Sequence, residues 1–173
     1  MIARSAQKPV MVHAQDEAII RRNRDRLGGG TTAADHARIQ TLECETVAVR
    51  RYLDLARETG ERFVICHVSS ADSLEIIADF NRRHGKTVYT EVCPHSWRLD
   101  TTWLDRPDGT RFQMNPSLRE PDQRARLERH LLDPELVDYV STDHAPHLLA
   151  RKDLPYPEAP SGIPGIQTID RKS

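Results

Sequence analysis

Four short runs rich in apolar residues punctuate the chain: Val10-Met11-Val12, Phe63-Val64-Ile65-Cys66, Thr87-Val88-Tyr89-Thr90-Glu91-Val92 and Val137-Asp138-Tyr139-Val140-Ser141. Three are dense in β-branched or aromatic residues and largely uninterrupted by charge, as expected of strands buried on both faces. Between the runs the apolar positions change to helical spacing. Leu42, Val49, Tyr52, Leu53 and Ala56 recur in this way, and Gly60 follows where a left-handed residue would end a helix. Ser70 is placed to cap a second helix carrying Leu74, Ile77 and Ala78 and closed by Gly85. Pro121 suits the first turn of a third, with Leu127 and Leu131 on its inner face. This alternation predicts an α/β fold of repeated βα units around a parallel sheet.

The remaining punctuation is loop-like. Gly28-Gly29-Gly30-Thr31-Thr32 reads as a flexible connection, Arg106-Pro107-Asp108-Gly109 as a turn inside a long loop, and 155–165, rich in Pro and Gly, as another loop. The glycine run is no phosphate cradle, since no strand precedes it and no Gly-Lys-Ser/Thr follows.

Composition narrows the class. In 173 residues, 38% are hydrophobic and 29% charged, the mix of a soluble globular enzyme. A formal net charge of -1 provides no broad positive field for nucleic acid or an anionic membrane, so neither is expected as a partner. The cluster Arg21, Arg22, Arg24 and Arg26 reads as the solvated face of a helix end. Cys44, Cys66 and Cys93 show no CxxC spacing and read as reduced core residues. Met1-Ile2-Ala3-Arg4-Ser5 lacks the apolar stretch of a signal peptide, and no run of about 18 apolar residues exists, so the expected location is cytoplasmic.

The candidate chemistry lies where polar residues meet the strand ends. His13 follows the first run and His67 the second; Glu91 and His95 lie at or just past the end of the third; Asp143 follows the fourth. In a (β/α)8 barrel, parallel strands aim their C-terminal ends at one face, where such residues converge. Two His and one Asp match the roughly three protein ligands of a catalytic zinc, which keeps a position open for water. A nearby carboxylate can take and return that water's proton, the role Asp143 is placed to fill. Each residue also has a structural reading. A lone His after a strand is commonly a hydrogen-bonded core residue, Asp143 could cap a helix, and His144 could be the ligand in its place. His36, His84 and His130 lie in helical or loop surroundings and read as surface residues.

Local sequence adds a family. Val12-His13-Ala14-Gln15-Asp16 and Cys66-His67-Val68-Ser69-Ser70 resemble the fifth- and sixth-strand metal-ligand segments of dihydroorotases. Glu91-Val92-Cys93-Pro94-His95 and Met114-Asn115-Pro116-Ser117-Leu118-Arg119 are similar to two further family motifs, the second with a substrate-contacting Asn. The most specific match is Thr142-Asp143-His144-Ala145-Pro146-His147 followed by Ala159-Pro160-Ser161-Gly162-Ile163-Pro164-Gly165. Gln15, Ser117 and Ser96-Trp97 depart from the usual residues.

The resemblance implies a role for each residue. His13, His67 and Asp143 would belong to the metal site, with Asp143 also the general base. Asn115, His147, Ser161 and Gly162 would bind substrate. It implies Zn2+, one or two ions in a complete site, and interconversion of N-carbamoyl-aspartate and dihydroorotate in pyrimidine synthesis. The family's first-strand His-x-His and fourth-strand bridging Lys or Asp have no counterpart. Residues 1–173 are therefore expected to be the C-terminal half of the domain, a partial (β/α)8 TIM barrel of approximately strands 5 to 8. A barrel takes about 250 residues, so a truncated chain associating through its open edges as a homo-oligomer, or with a missing N-terminal half, is expected. The alternatives are an allantoinase or dihydropyrimidinase, and a non-catalytic scaffold for a carbamoyltransferase.

Overall fold

Each of the four apolar runs becomes a strand in the computed structural model, which describes residues 8–168. Met1-Ile2-Ala3-Arg4-Ser5, read above for a signal peptide, lie outside the described residues. The strands are β1 (Val10–Val12), β2 (Phe63–Ile65), β3 (Val88–Val92) and β4 (Tyr139–Val140). They form one parallel sheet in sequence order, with Val10 opposite Phe63, Phe63 opposite Val88 and Glu91 opposite Tyr139. Parallel order requires a crossover after each strand, and the helices supply it.

After β1 come α1 (Glu17–Arg26), α2 (Ala33–Ile39) and α3 (Leu42–Thr59). α4 (Ala71–His84) links β2 to β3, and α5 (Pro94–Arg98) with α6 (Pro121–His130) leads to β4. A single-turn helix, α7 (Leu149–Lys152), lies beyond β4. The termini follow local chemistry. Gly60 ends α3 at φ 69°, the left-handed region where a Cβ is costly. The Ser70 side chain accepts from Ser73 N to cap α4, and Pro121 opens α6. Around the glycine run, Thr32 and Asp35 form a reciprocal capping box that starts α2. The short helices α2 and α5 went unread in the sequence because neither carries a full apolar period.

The main core lies between the sheet and helices α3, α4 and α6. Val49, Leu53, Ile65, Leu74, Ile77, Val88, Val92 and Leu127 pack there, each burial stabilising by about 1.5–3 kcal/mol. The expectation of strands buried on both faces holds for β2, which is buried throughout. β3 alternates between buried and half-buried positions, and β4 is exposed at both. The cause is pairing: β1 and β4 each have one neighbour among the described residues. The three cysteines are free thiols, Cys44 and Cys93 buried and Cys66 half-buried. No helix among the described residues is long and apolar enough to cross a membrane.

Candidate metal and substrate site

The ends of β1 and β2 bring two predicted residues into contact. β1 stops at Val12, His13 follows, and the chain turns at once into α1, whose N-cap Asp16 accepts from Ile19 N at 2.9 Å. β2 stops at Ile65, and His67 adopts φ 40°, an uncommon left-handed conformation for a residue with a Cβ. That turn is braced: His67 N donates to Glu91 Oε1 at 3.3 Å and Val68 N to the Glu91 carbonyl at 2.7 Å. As a result His13 Nδ1 and His67 Nε2 lie 3.1 Å apart, with ring centroids 4.7 Å apart and the planes at 68°. Gln15 Oε1 lies 3.0 Å from His13 Nε2, so it accepts a hydrogen from that nitrogen.

Two nitrogens each about 2.0–2.1 Å from one tetrahedral Zn2+ stand roughly 3.3 Å apart, so the pair has nearly the spacing of two ligands on one ion. His67 Nδ1 is buried without a partner. Burial first and the facing His67 second lower the His13 pKa, which favours the neutral, ligand-competent imidazole. The donor set therefore fits a divalent cation at the histidine pair. Asp143, also at a left-handed φ of 42°, is exposed, and its charge reaches both His13 and His95, favouring their protonated forms. Even so, no three His, Cys, Asp or Glu among the described residues are gathered closely enough to hold a metal ion as they stand. His95 is buried with an unpartnered Nδ1, and burial drives its pKa down to about 4. Glu91 braces the framework, since its Oε1 also accepts from Ser141 Oγ at 2.7 Å and so joins the ends of β2 and β4.

The other predicted residues form a second cluster around Gln113. Gln113 Nε2 donates to Ser161 Oγ at 3.0 Å and to the Ala159 carbonyl at 3.2 Å, while its carbonyl accepts from Gly162 N at 2.9 Å. His147 Nε2 lies 2.9 Å from the Ser161 carbonyl, so that nitrogen carries the hydrogen. Gly162 is required where it stands: at φ 132° an added Cβ would lie 2.6 Å from the Ala145 carbonyl oxygen and 3.1 Å from His147 Nε2. Segment 143–147 thus connects Asp143 with His147, Ser161 and Gly162. The alternative ligand His144 is held elsewhere, with its Nδ1 accepting from Ile166 N at 3.2 Å.

No family model matches the chain. A dihydroorotase of Staphylococcus epidermidis is 35% identical over 167 residues, and one of Bacillus licheniformis 32% identical over 171; each match takes in 96% of this chain and 38% of the relative. Among solved structures, a D-hydantoinase from a Bacillus species superposes with a TM-score of 0.86 at 28% identity, over 95% of this chain and 37% of that one. A dihydropyrimidinase from Brevibacillus agri gives 0.85 at 30% over the same shares. Over nearly its whole length the chain is similar to enzymes of the cyclic amidohydrolase family. It spans about 38% of the length of the curated relatives. Within that family the likeness to a Campylobacter jejuni dihydroorotase, at 15% identity and a TM-score of 0.59, is one of fold.

Several residues lie in surroundings that their sequence context does not show. His36, read as a surface residue, is buried, because α2 turns it inward onto Met114 and Asn115. His130 is half-buried and bonds Glu75 at 2.9 Å, while His84 is exposed as read. Glu45, a charged residue within α3, is fully enclosed. Both Ser69 and Ser70 donate their hydroxyls to its carboxylate, and Arg119 pairs with it at 3.4 Å. Burial works to raise the Glu45 carboxyl, but Arg119 and the serine hydroxyls outweigh it and hold it below its ordinary value. This buried group fixes the turn that carries His67. A polar residue on the apolar stripe beside Cys44, Ala48 and Val49 was the available signal.

Proposed function

We propose that the chain is the C-terminal segment, strands 5 to 8, of a dihydroorotase-like barrel that interconverts N-carbamoyl-aspartate and dihydroorotate. The observation that carries this is the His13–His67 pair at the ends of adjacent parallel strands, 3.1 Å apart, with the Asp143 charge felt at His13. His13 and His67 would hold a divalent cation, Zn2+ in the first instance, with Asp143 completing the site. When bound, the ion supplies Lewis acidity at the ring carbonyl. Asp143 accepts the proton of the attacking water and returns it to the ring nitrogen as the amide bond opens. Asn115, His147, Ser161 and Gly162 orient the ring, His147 through Nδ1 once Nε2 is engaged by Ser161. The missing barrel strands, from a second chain or a longer one, would cover the exposed edges at Met11 and Val140, and a cytoplasmic location accords with this metabolism.

A second reading, a dihydropyrimidinase- or hydantoinase-type cyclic amidohydrolase, is favoured by the solved structures with TM-scores of 0.85 and 0.86. Comparing dihydroorotate, allantoin and dihydrouracil as substrates and as ligands of the Zn2+-loaded chain separates the two. Preference for dihydroorotate, lost in Asp143→Asn, is expected; preference for dihydrouracil would transfer the assignment. Zn2+ titration by calorimetry tests the histidine pair directly, and binding unchanged in His13→Ala would remove it from the site.

A further inference from the structure

The Asn115 side-chain amide is oriented first by His36, whose hydrogen-bonding role a backbone carbonyl fixes. His36 Nε2 lies 2.9 Å from the Met114 carbonyl oxygen, and a carbonyl only accepts, so Nε2 carries the hydrogen. The same nitrogen lies 2.9 Å from Asn115 Oδ1, which must therefore be the acceptor end of the amide. Gln40 Nε2 donates to that oxygen as well, at 2.7 Å. Both acceptor positions of Asn115 Oδ1 are thus taken up from the protein side.

The two donors are firmly held. His36 and Gln40 are each 6% exposed. His36 packs edge-on against the Tyr156 ring with centroids 6.1 Å apart, and the Gln40 carbonyl accepts from Arg119 Nη1 at 2.6 Å. Asn115 itself is exposed, and its Nδ2 meets no acceptor among the described residues. Two residues earlier, Gln113 ties the same strip of chain to Ser161 and Gly162.

We propose that His36 and Gln40 are positioning residues that lock the Asn115 amide with its NH2 group outward, so that this position recognises only hydrogen-bond acceptors on a ligand, a carbonyl or carboxylate oxygen. The lock rests on the geometry alone. The ligand's identity as a cyclic amide or its ring-opened acid rests on the proposed function. A ligand offering only a donor here, such as an ammonium group, meets two N–H bonds and no acceptor, and is rejected for leaving polar groups unpaired.

Nitrogen-15 NMR of the full 173-residue chain reads the His36 tautomer. A hydrogen on Nε2 is expected, and a hydrogen on Nδ1 alone would overturn the lock. Gln40→Glu replaces a donor by an acceptor at nearly constant size and sets it against Asn115 Oδ1 in conflict with His36, loosening the lock and weakening dihydroorotate binding about ten-fold; Gln40→Met, which removes one donor only, should weaken it less. Equal effects of the two substitutions, or none, would overturn the recognition rule. Failure of the unsubstituted chain to bind dihydroorotate, N-carbamoyl-aspartate or dihydrouracil would strike the proposed function instead, and the tautomer measurement would still decide the lock.

Discussion

The turns after β1 and β2 and the segment after β4 both carry predicted site residues, but they are held by different means. β2 lies between two strands, is buried throughout, and hands His67 to a turn anchored by Glu45, Ser69, Ser70 and Glu91. Among the described residues β4 has one neighbouring strand, with Tyr139 and Val140 49% and 52% exposed. Asp143 beyond it rests on close backbone approaches at Gly162 and Gly165 and on the bridge between His144 and Ile163. The half-site at the histidines is preorganised by a buried polar network, whereas Asp143 depends on a loop packed with little apolar burial. This accounts for the histidines meeting while the carboxylate stands apart from a three-ligand cluster.

The strongest way to break the contrast is to remove the anchor. Glu45→Ala leaves the buried Arg119 guanidinium without its partner and should cost about 3–5 kcal/mol in urea unfolding. Replacing Glu45 and Arg119 together by Met should recover much of that loss. A smaller effect, about 1–3 kcal/mol, is expected for Gly162→Ala, from strain at φ 132° and contact with the Ala145 carbonyl. Hydrogen exchange should then show protection falling in 143–147 while β2 keeps its own; equal loss in both would merge the two regions into one cooperative unit.

Lys152 sharpens the comparison through pH. Its buried ammonium donates to the Gln113 and Pro160 carbonyls at 3.0 and 2.8 Å, and desolvation lowers its pKa from 10.5 to about 8. Between those values the unfolded chain binds more protons than the folded one, so this residue's contribution makes stability rise from about pH 8 to 10.5. A neutral amine still has two N–H donors for the two carbonyls. Lys152→Met should abolish that rise in thermal melts taken across the window. The smallest effect belongs to the exposed flank: Leu148→Ser, at a residue 78% exposed, should change stability by no more than about 0.5 kcal/mol. A larger loss would mean that another surface covers Leu148 in solution.

Strand order, the long helices and the chain positions of His13, His67 and Asp143 were legible from the residues, because two periods and a few cap and breaker residues are local properties read within one or two turns. The inward turn of His36, the enclosure of Glu45 and the role of Gln113 as a hub were not. Each depends on partners roughly 24 to 80 positions away, and a side chain's burial or hydrogen-bonding role is settled by what packs against it in space. Linear order could say that candidate ligands stand at strand ends, while the bracing of those ends decided that two imidazoles meet and that the charge of the aspartate reaches His13.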